Sequence, residues 1–263
     1  MKHRIVLIGF GTIAADVAAG LRKQSDTYTM AALCRRPDAH LPPDIHRLTD
    51  FVDLMSWRPD LVVEVASQDA VREYAENCLK TGIPVIVSSA GALADDTLRQ
   101  ALADAAKASK TRVMVPSGAV GSLDYLAAVR QIDGARVTYE SRKPVAAWHA
   151  ELTALGHNPD TLSEPVVLYD GDAATAAQKY PQNLNVAATI ALAGVGMQVT
   201  QVRVVADPAV SENRHSIRVE SPLGTMSTQI VNQPSPSNPK TSWVVAQSVL
   251  ATIEKHFAGA VVG

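Results

Sequence analysis

Three small residues near the start of the chain, Gly9, Gly11 and Ala14, stand in the order G-x-G-x-x-A within the stretch VLIGFGTIAADVAAGL. A short apolar run, Arg4–Phe10, precedes the turn, and apolar residues at helical spacing follow over Thr12–Gln24. Each small residue then has a task. Gly9 permits a tight turn, Gly11 lets backbone approach a pyrophosphate, and Ala14 keeps helix close to strand. Thr12 and Ile13, first in the helix, offer unpaired N–H groups to phosphate oxygens. Strand before and helix after favour a dinucleotide site over an ordinary structural turn.

The second predicted strand, Tyr28–Cys34, runs into Arg35 and Arg36. An NAD-binding chain places an acidic residue there for the ribose hydroxyls. A guanidinium suits a 2′-phosphate instead and can stack on adenine, so the pair points to NADP or to use of both dinucleotides. A solvated arginine pair is the plainer reading, and Asp38 can still reach a ribose hydroxyl. The turns after the third strand (Asp60–Ser67) and the fourth (Pro84–Ser89) should reach the nicotinamide side. Their small residues Ala66, Ser67 and Ser88 would let a ring or ribose lie close to backbone, although short polar turns are common without any ligand.

These residues need a scaffold, and the pattern supplies one. Helices are predicted over Leu48–Pro59, Asp69–Gly82 and Asp95–Lys110, with a further strand at Arg112–Gly118. Strands alternating with helices predict a doubly wound parallel sheet. After Gly118 the pattern changes. A helix at Ser122–Ile132 is followed by strands at Ala135–Lys143, Val166–Asp172 and Gln201–Pro208, and by a hairpin over His215–Pro234 turning at Pro222-Leu223-Gly224. Asp172–Gly196 reads as helical with a break at Pro181. Asn232–Ser242 reads as a loop, and Thr241–Gly259 as an amphipathic helix. The expected fold is α/β: an N-terminal Rossmann domain (1–118, with helix 241–259 packing back on it) and a C-terminal α+β domain (119–240) with a mainly antiparallel sheet.

The 263 residues carry a formal net charge of −2, which gives no basic footprint for nucleic acid. No run of about 20 apolar residues predicts a membrane span. The basic start Met1-Lys2-His3-Arg4 leads into a strand rather than a signal-peptide core. The two cysteines, Cys34 and Cys78, form no CxxC pair. They read as buried small hydrophobes of a cytoplasmic protein in a reducing compartment. No convincing set of metal ligands is present, and none is expected.

Several stretches in order along the whole chain resemble the L-aspartate dehydrogenase family: VEVAS, VSSAGAL, VPSGAVGSLD, SRKPVAAW, PQNLNVAATIALAG, VRVVADP, NRHSIRVE and NQPSPSNPKTS. The resemblance implies a nicotinamide cofactor, NAD or NADP, and oxidative deamination of L-aspartate to oxaloacetate and ammonia through iminoaspartate. It also implies a homodimer formed through the second domain's sheet. Ala119, in Pro116-Ser117-Gly118-Ala119, aligns with a cofactor-contacting alanine of the family. Asn185 aligns with a cofactor-contacting asparagine, in a stretch where Leu184 replaces the family's valine. The family's catalytic histidine falls at His215, and its frequent TRKP is SRKP here (Ser141–Pro144).

That chemistry needs a proton shuttle titrating near neutrality and cations or amide donors for two carboxylates. His215 suits the first task, although by pattern alone it reads as a surface strand histidine. His149 and His157 compete less well, and His3, His40, His46 and His256 still less. Lys240 and Thr241 stand at the predicted N-terminus of the last helix, where dipole and N–H groups favour an anion; Thr241 or Ser242 as a simple N-cap is the plain alternative. Lys143 and Arg142 form a second cationic pair. Two other functions fit the pattern. One is a different two-domain oxidoreductase acting on a small carboxylate. The sugar dehydrogenases of the glucose-fructose oxidoreductase type usually show Glu-Lys-Pro where this chain has VSSAGAL, and the paired histidines of dihydrodipicolinate reductases are absent. The other is a non-catalytic NADP sensor on the same scaffold.

Overall fold

The computed structural model describes residues 2–36, 40–180, 185–236 and 238–262, with the side chains of Pro239 and Lys240 left aside. The chain divides into two compact units, one of residues 1–116 and 246–262, the other of residues 117–245.

The first unit begins with β1 (His3–Ile8), α1 (Thr12–Arg22), β2 (Tyr28–Leu33), β3 (His46–Leu48) and α2 (Phe51–Trp57). It continues with β4 (Leu61–Glu64), α3 (Gln68–Ala70), a π-helical turn (Val71–Ala75), α4 (Glu76–Lys80), β5 (Val85–Val87), α5 (Asp96–Ala108) and β6 (Val113–Met114). The strands form one six-stranded sheet in the order β3-β2-β1-β4-β5-β6, and every pair in it is parallel. The expected doubly wound sheet is therefore present. Its order reverses between β1 and β4, and at such a switch point the crevice beyond the carboxyl ends of the strands takes ligands. Burial of both faces explains the unbroken apolar runs: Ile5, Val6, Leu7, Leu61, Val62 and Val63 are fully buried. The three-residue β3 ends on Leu48, where the helix was expected to begin. Asp50 then caps α2 by accepting from the Asp53 N–H.

The second unit contains α6 (Leu123–Val129), β7 (Arg136–Lys143), α7 (His149–Ala154), β8 (Val166–Asp172), α8 (Ala173–Lys179) and α9 (Asn185–Ala193). β9 (Gln201–Ala206), β10 (Asn213–Ser221), β11 (Gly224–Asn232), β12 (Pro234–Ser235) and β13 (Asn238–Ser242) follow. A five-stranded sheet runs β11-β10-β7-β9-β8. Only the β7–β9 pair is parallel, so the mainly antiparallel expectation holds. The β10–β11 hairpin turns through Pro222-Leu223. The break expected at Pro181 lies outside the described residues, between α8 and α9.

The last helix, α10 (Val244–Phe257), starts later than the sequence pattern suggests. Lys240 and Thr241 are not at its N-terminus. They belong to β13, which pairs antiparallel with β12 in a two-stranded ribbon where a loop was expected. The Trp243 N–H donates to the Gln233 carbonyl at 2.9 Å, so ribbon bonds occupy backbone groups that a helix start would leave unpaired. Ala246, Val249, Leu250 and Ile253 of α10 complete the apolar core of the first unit beside Ala14, Val17, Ala18 and Leu21 of α1.

Candidate active site

The Gly-rich turn closes the carboxyl end of β1. Gly9 adopts φ +87°, and a Cβ there would meet the Ala66 Cβ at 2.6 Å. Only glycine satisfies both constraints. Gly11 differs: a Cβ there meets nothing within 4 Å. Its lack of a side chain leaves open space in front of α1. Gly11 caps α1 without any side-chain hydrogen bond, and the first turn, with Thr12 and Ile13, holds no acidic residue. Such a helix start favours an anion. Ala14 is fully buried against the sheet.

A cavity of about 260 Å³ opens beside this turn, lined by Gly9, Gly11, Arg35, Arg36, Ala66 and Tyr74 among others. The structure thus brings the turn, both arginines and the loop after β4 to one space. Arg47 of β3 donates to the carbonyls of Cys34 (3.2 Å) and Arg36 (2.9 Å), fixing the backbone that carries the two arginines. Asp38 lies outside the described residues.

The sequence reading missed Glu64, the last residue of β4 and fully buried. Its Oε1 accepts from the N–H groups of Ala66 (2.7 Å) and Ser67 (2.9 Å) and from Ser89 Oγ (2.9 Å). Its Oε2 accepts from the Ser89 N–H at 3.0 Å. One carboxylate therefore fastens the loop after β4 to the loop after β5. Burial pushes its pKa up, and these bonds oppose the rise. Ser67 also caps α3. The Ser88 hydroxyl is buried with no hydrogen-bond partner among the described residues. An open cradle at Gly11, an uncapped helix start and an orphaned hydroxyl at a neighbouring strand end fit a dinucleotide.

In the second unit, strict alternation along β7 turns Val137, Tyr139, Ser141 and Lys143 inward, all buried. On β10 it turns Asn213, His215, Ile217 and Val219 inward, also buried. Register sets His215 opposite Ser141 and Ile217 opposite Tyr139, so these side chains share one face. That face is apolar at one end and polar at the other.

His215 is 2% exposed, not the surface strand histidine that pattern alone allowed. Its Nδ1 lies 2.7 Å from the Tyr139 hydroxyl, and the two ring planes are nearly parallel, 7° apart. Nε2 is buried with no hydrogen-bond partner among the described residues. Burial, with the positive charge of Lys143 acting the same way, pushes the imidazole pKa down to about 3. The expectation of a group titrating near neutrality is corrected to that extent: His215 is a neutral base at pH 7. Burial pushes the Tyr139 hydroxyl up, so it keeps its proton.

Lys143 is 4% exposed, and its Nζ lies 5.4 Å from the centroid of the Trp148 ring. Arg142, expected to act with it, points to the opposite face. Its Nη1 contacts Asp207 Oδ2 at 2.6 Å, and its Nη2 contacts Glu140 Oε1 at 3.0 Å. The pair is split because consecutive strand residues alternate sides.

Asn213 Nδ2 donates to the Ser242 hydroxyl at 3.2 Å, so the end of β13 is tied to the His215 strand. Asn238 Nδ2 donates to the Thr241 hydroxyl at 3.2 Å within the ribbon. The Lys240 side chain lies outside the described part. Asn232, paired with Asn213, donates through Nδ2 to the Ala119 carbonyl at 2.8 Å. Ala119 therefore sits at the same end of the sheet. Asn185 opens α9, and its carbonyl accepts from the Thr189 hydroxyl at 3.0 Å. His149 starts α7, while His3 stacks on Phe257 in the first unit.

The profile of the C-terminal domain of aspartate dehydrogenases matches residues 124–256, and that of the NAD-binding domain of homoserine dehydrogenases matches residues 9–116. L-aspartate dehydrogenase 2 of Bordetella bronchiseptica is 54% identical, covering 100% of both chains. The L-aspartate dehydrogenase of Ruegeria pomeroyi is 39% identical over 98% of this chain and 94% of its own. Among solved structures, the aspartate dehydrogenase of Thermotoga maritima superposes with a TM-score of 0.78 at 29% identity, covering 100% of both chains. The chain belongs to the L-aspartate dehydrogenase family.

Proposed function

We propose that the protein is an NAD(P)-dependent L-aspartate dehydrogenase, catalysing the reversible oxidative deamination of L-aspartate to oxaloacetate and ammonia through iminoaspartate. The observation that carries this reading is the orphaned Nε2 of His215 at the polar end of a buried face, beside Lys143. The first unit takes the dinucleotide. Gly9, Gly11, Thr12, Ile13 and Ala14 form the phosphate turn, Arg35 and Arg36 flank the adenosine ribose, and Ala66, Ser67 and Ser88 stand towards the nicotinamide. Ala119 and Asn185 are further cofactor contacts by their match to the family. The dinucleotide, when bound, accepts the hydride from the substrate α-carbon.

The residues of the second unit handle charge and protons. Lys143, buried and beside His215, attracts a substrate carboxylate, and the Lys240–Thr241 stretch serves the other. His215 works with Nδ1–H donating to the Tyr139 oxygen, which leaves the lone pair on Nε2. Nε2 takes a proton from the water that adds to the imine carbon, then returns it to the departing amine. The low pKa sets the resting state as base; carboxylates arriving beside the ring raise its proton affinity as the imidazolium forms. General acid–base help of this kind is worth about 10²–10⁴-fold.

Arg35 and Arg36 support acceptance of NADP beside NAD. We read the protein as a homodimer formed through the five-stranded sheet, which light scattering on the purified protein tests. We place it in the cytoplasm, supported by its two free buried thiols, Cys34 and Cys78. Among the described residues no helix is long and apolar enough to cross a membrane. The deciding experiment is a panel of amino acids run with both dinucleotides, on the protein and on His215→Asn. Aspartate-dependent reduction that collapses in the variant, with dinucleotide binding retained, is expected. Turnover only with another amino acid would overturn the substrate. A variant with unchanged behaviour would favour the sensor.

A further inference from the structure

Arg35 is already engaged. Its Nη1 lies 3.0 Å from Glu73 Oε1, and its guanidinium carbon lies 6.0 Å from the centroid of the Tyr74 ring. Arg36, its neighbour, has no carboxylate partner among the described residues. Glu73 and Tyr74 belong to the π-helical turn Val71–Ala75, an element that often marks functional sites. Tyr74 and Ala70 line the same cavity as the two arginines. The turn thus delivers a carboxylate to the end of β2, where the strand runs into two arginines.

We infer that Glu73 is a specificity-determining residue that tunes the choice between NAD and NADP by competing with the ribose 2′-phosphate for Arg35. The inference rests on the reading of Arg35 as a 2′-phosphate contact. A dinucleotide with a plain 2′-hydroxyl leaves the Arg35–Glu73 pair intact. One carrying a 2′-phosphate must draw Arg35 away and place its own charge near the carboxylate. Both side chains are substantially exposed, 65% for Arg35 and 44% for Glu73, so solvent and salt reduce the penalty. The effect is accordingly a bias and not a block, about fivefold. Glu73 acts through Arg35, so it is a positioning residue whose signature is a ratio of affinities.

The test is calorimetric binding of adenosine 2′,5′-bisphosphate and of 5′-AMP to the intact protein, to E73Q, to Arg35→Ala and to the double variant. In E73Q the preference for the bisphosphate should rise about fivefold, with 5′-AMP affinity unchanged, and the rise should shrink at high salt. Arg35→Ala should lower the preference, and adding E73Q to it should change nothing further. The ratio of kcat/KM with NADP to that with NAD should move in the same direction. An unchanged ratio in E73Q, or an equal rise without Arg35, overturns the role of Glu73. An unchanged ratio in Arg35→Ala alone overturns the reading of Arg35, and this inference falls with it.

Discussion

Replacing His215 with asparagine should change how stability depends on pH, in a direction fixed by its burial. The folded imidazole is held down to about 3, whereas an unfolded histidine titrates near 6.5. A depressed folded pKa contributes stability that is present above the unfolded value and is lost as pH falls towards the folded one. At pH 8 both states are neutral at this ring. At pH 5 the unfolded ring is almost fully protonated and the folded ring is not. Proton linkage then removes about 2 kcal/mol of folding stability between pH 8 and pH 5, approaching about 1.4 kcal/mol per pH unit at the acid end. Asparagine has no such titration. The gap in stability between the protein and His215→Asn should therefore shrink by about 2 kcal/mol over that range. Urea unfolding at several pH values measures it, followed by fluorescence of the fully buried Trp148 in a background where Trp57 and Trp243 are both replaced by Phe. Histidines common to both proteins, including the depressed His256, cancel in the difference. Parallel loss of stability in the two proteins would refute a buried neutral His215 and the proton-transfer role built on it.

Gly11→Ala should fold with stability within about 0.5 kcal/mol of the parent, because the new methyl meets open space, yet bind dinucleotides at least about tenfold more weakly by calorimetry. Gly9→Ala should instead lower stability by about 2–4 kcal/mol, since positive φ and the Ala66 contact act together; a denaturation midpoint shows it. Glu64→Ala should cost about 3 kcal/mol, leaving the Ser89 N–H without its acceptor and a void behind β4. It should also weaken dinucleotide binding measured well below its melting temperature. Lys143→Met should raise the KM for aspartate by about 30-fold or more. The loss of its charge should move the His215 pKa up, read by NMR titration of the imidazole.

The N-terminal half was legible because its physics is local. Buried parallel strands write themselves as apolar runs, and the turn between β1 and α1 demands glycine at Gly9. Glu64 was hidden inside such a run, in LVVEVAS, where one acidic letter gives no sign that Ser89, 25 residues on, would bond to it as well as the adjoining loop. Its partners arise only when the sheet assembles. In the second half, the separation of Lys143 from Arg142 was readable: RVTYESRK alternates, and strict period-two counting puts the lysine inside with Tyr139 and the arginine outside. The Tyr139–His215 bond spans two strands, and local pattern carries no trace of it. Thr241 and Ser242 looked like a helix start because hydroxyl residues favour caps. The ribbon, with Ser242 paired to Pro234 and Asn238 to Ser235, overrode that preference, as tertiary context overrides weak local propensity.

The contribution of α10 to the first unit's core has a consequence during synthesis. The sheet, α1 and the Gly-rich turn all leave the ribosome long before Ala246, Val249, Leu250 and Ile253 exist to complete the core of this unit. At ordinary elongation rates the wait between residue 116 and α10 is on the order of 10 s. Through that interval the nascent dinucleotide domain lacks four apolar side chains of its core, and the side of α1 at Gly20 waits for Leu250. Its final packing step waits for α10, which follows the whole of the second unit along the chain.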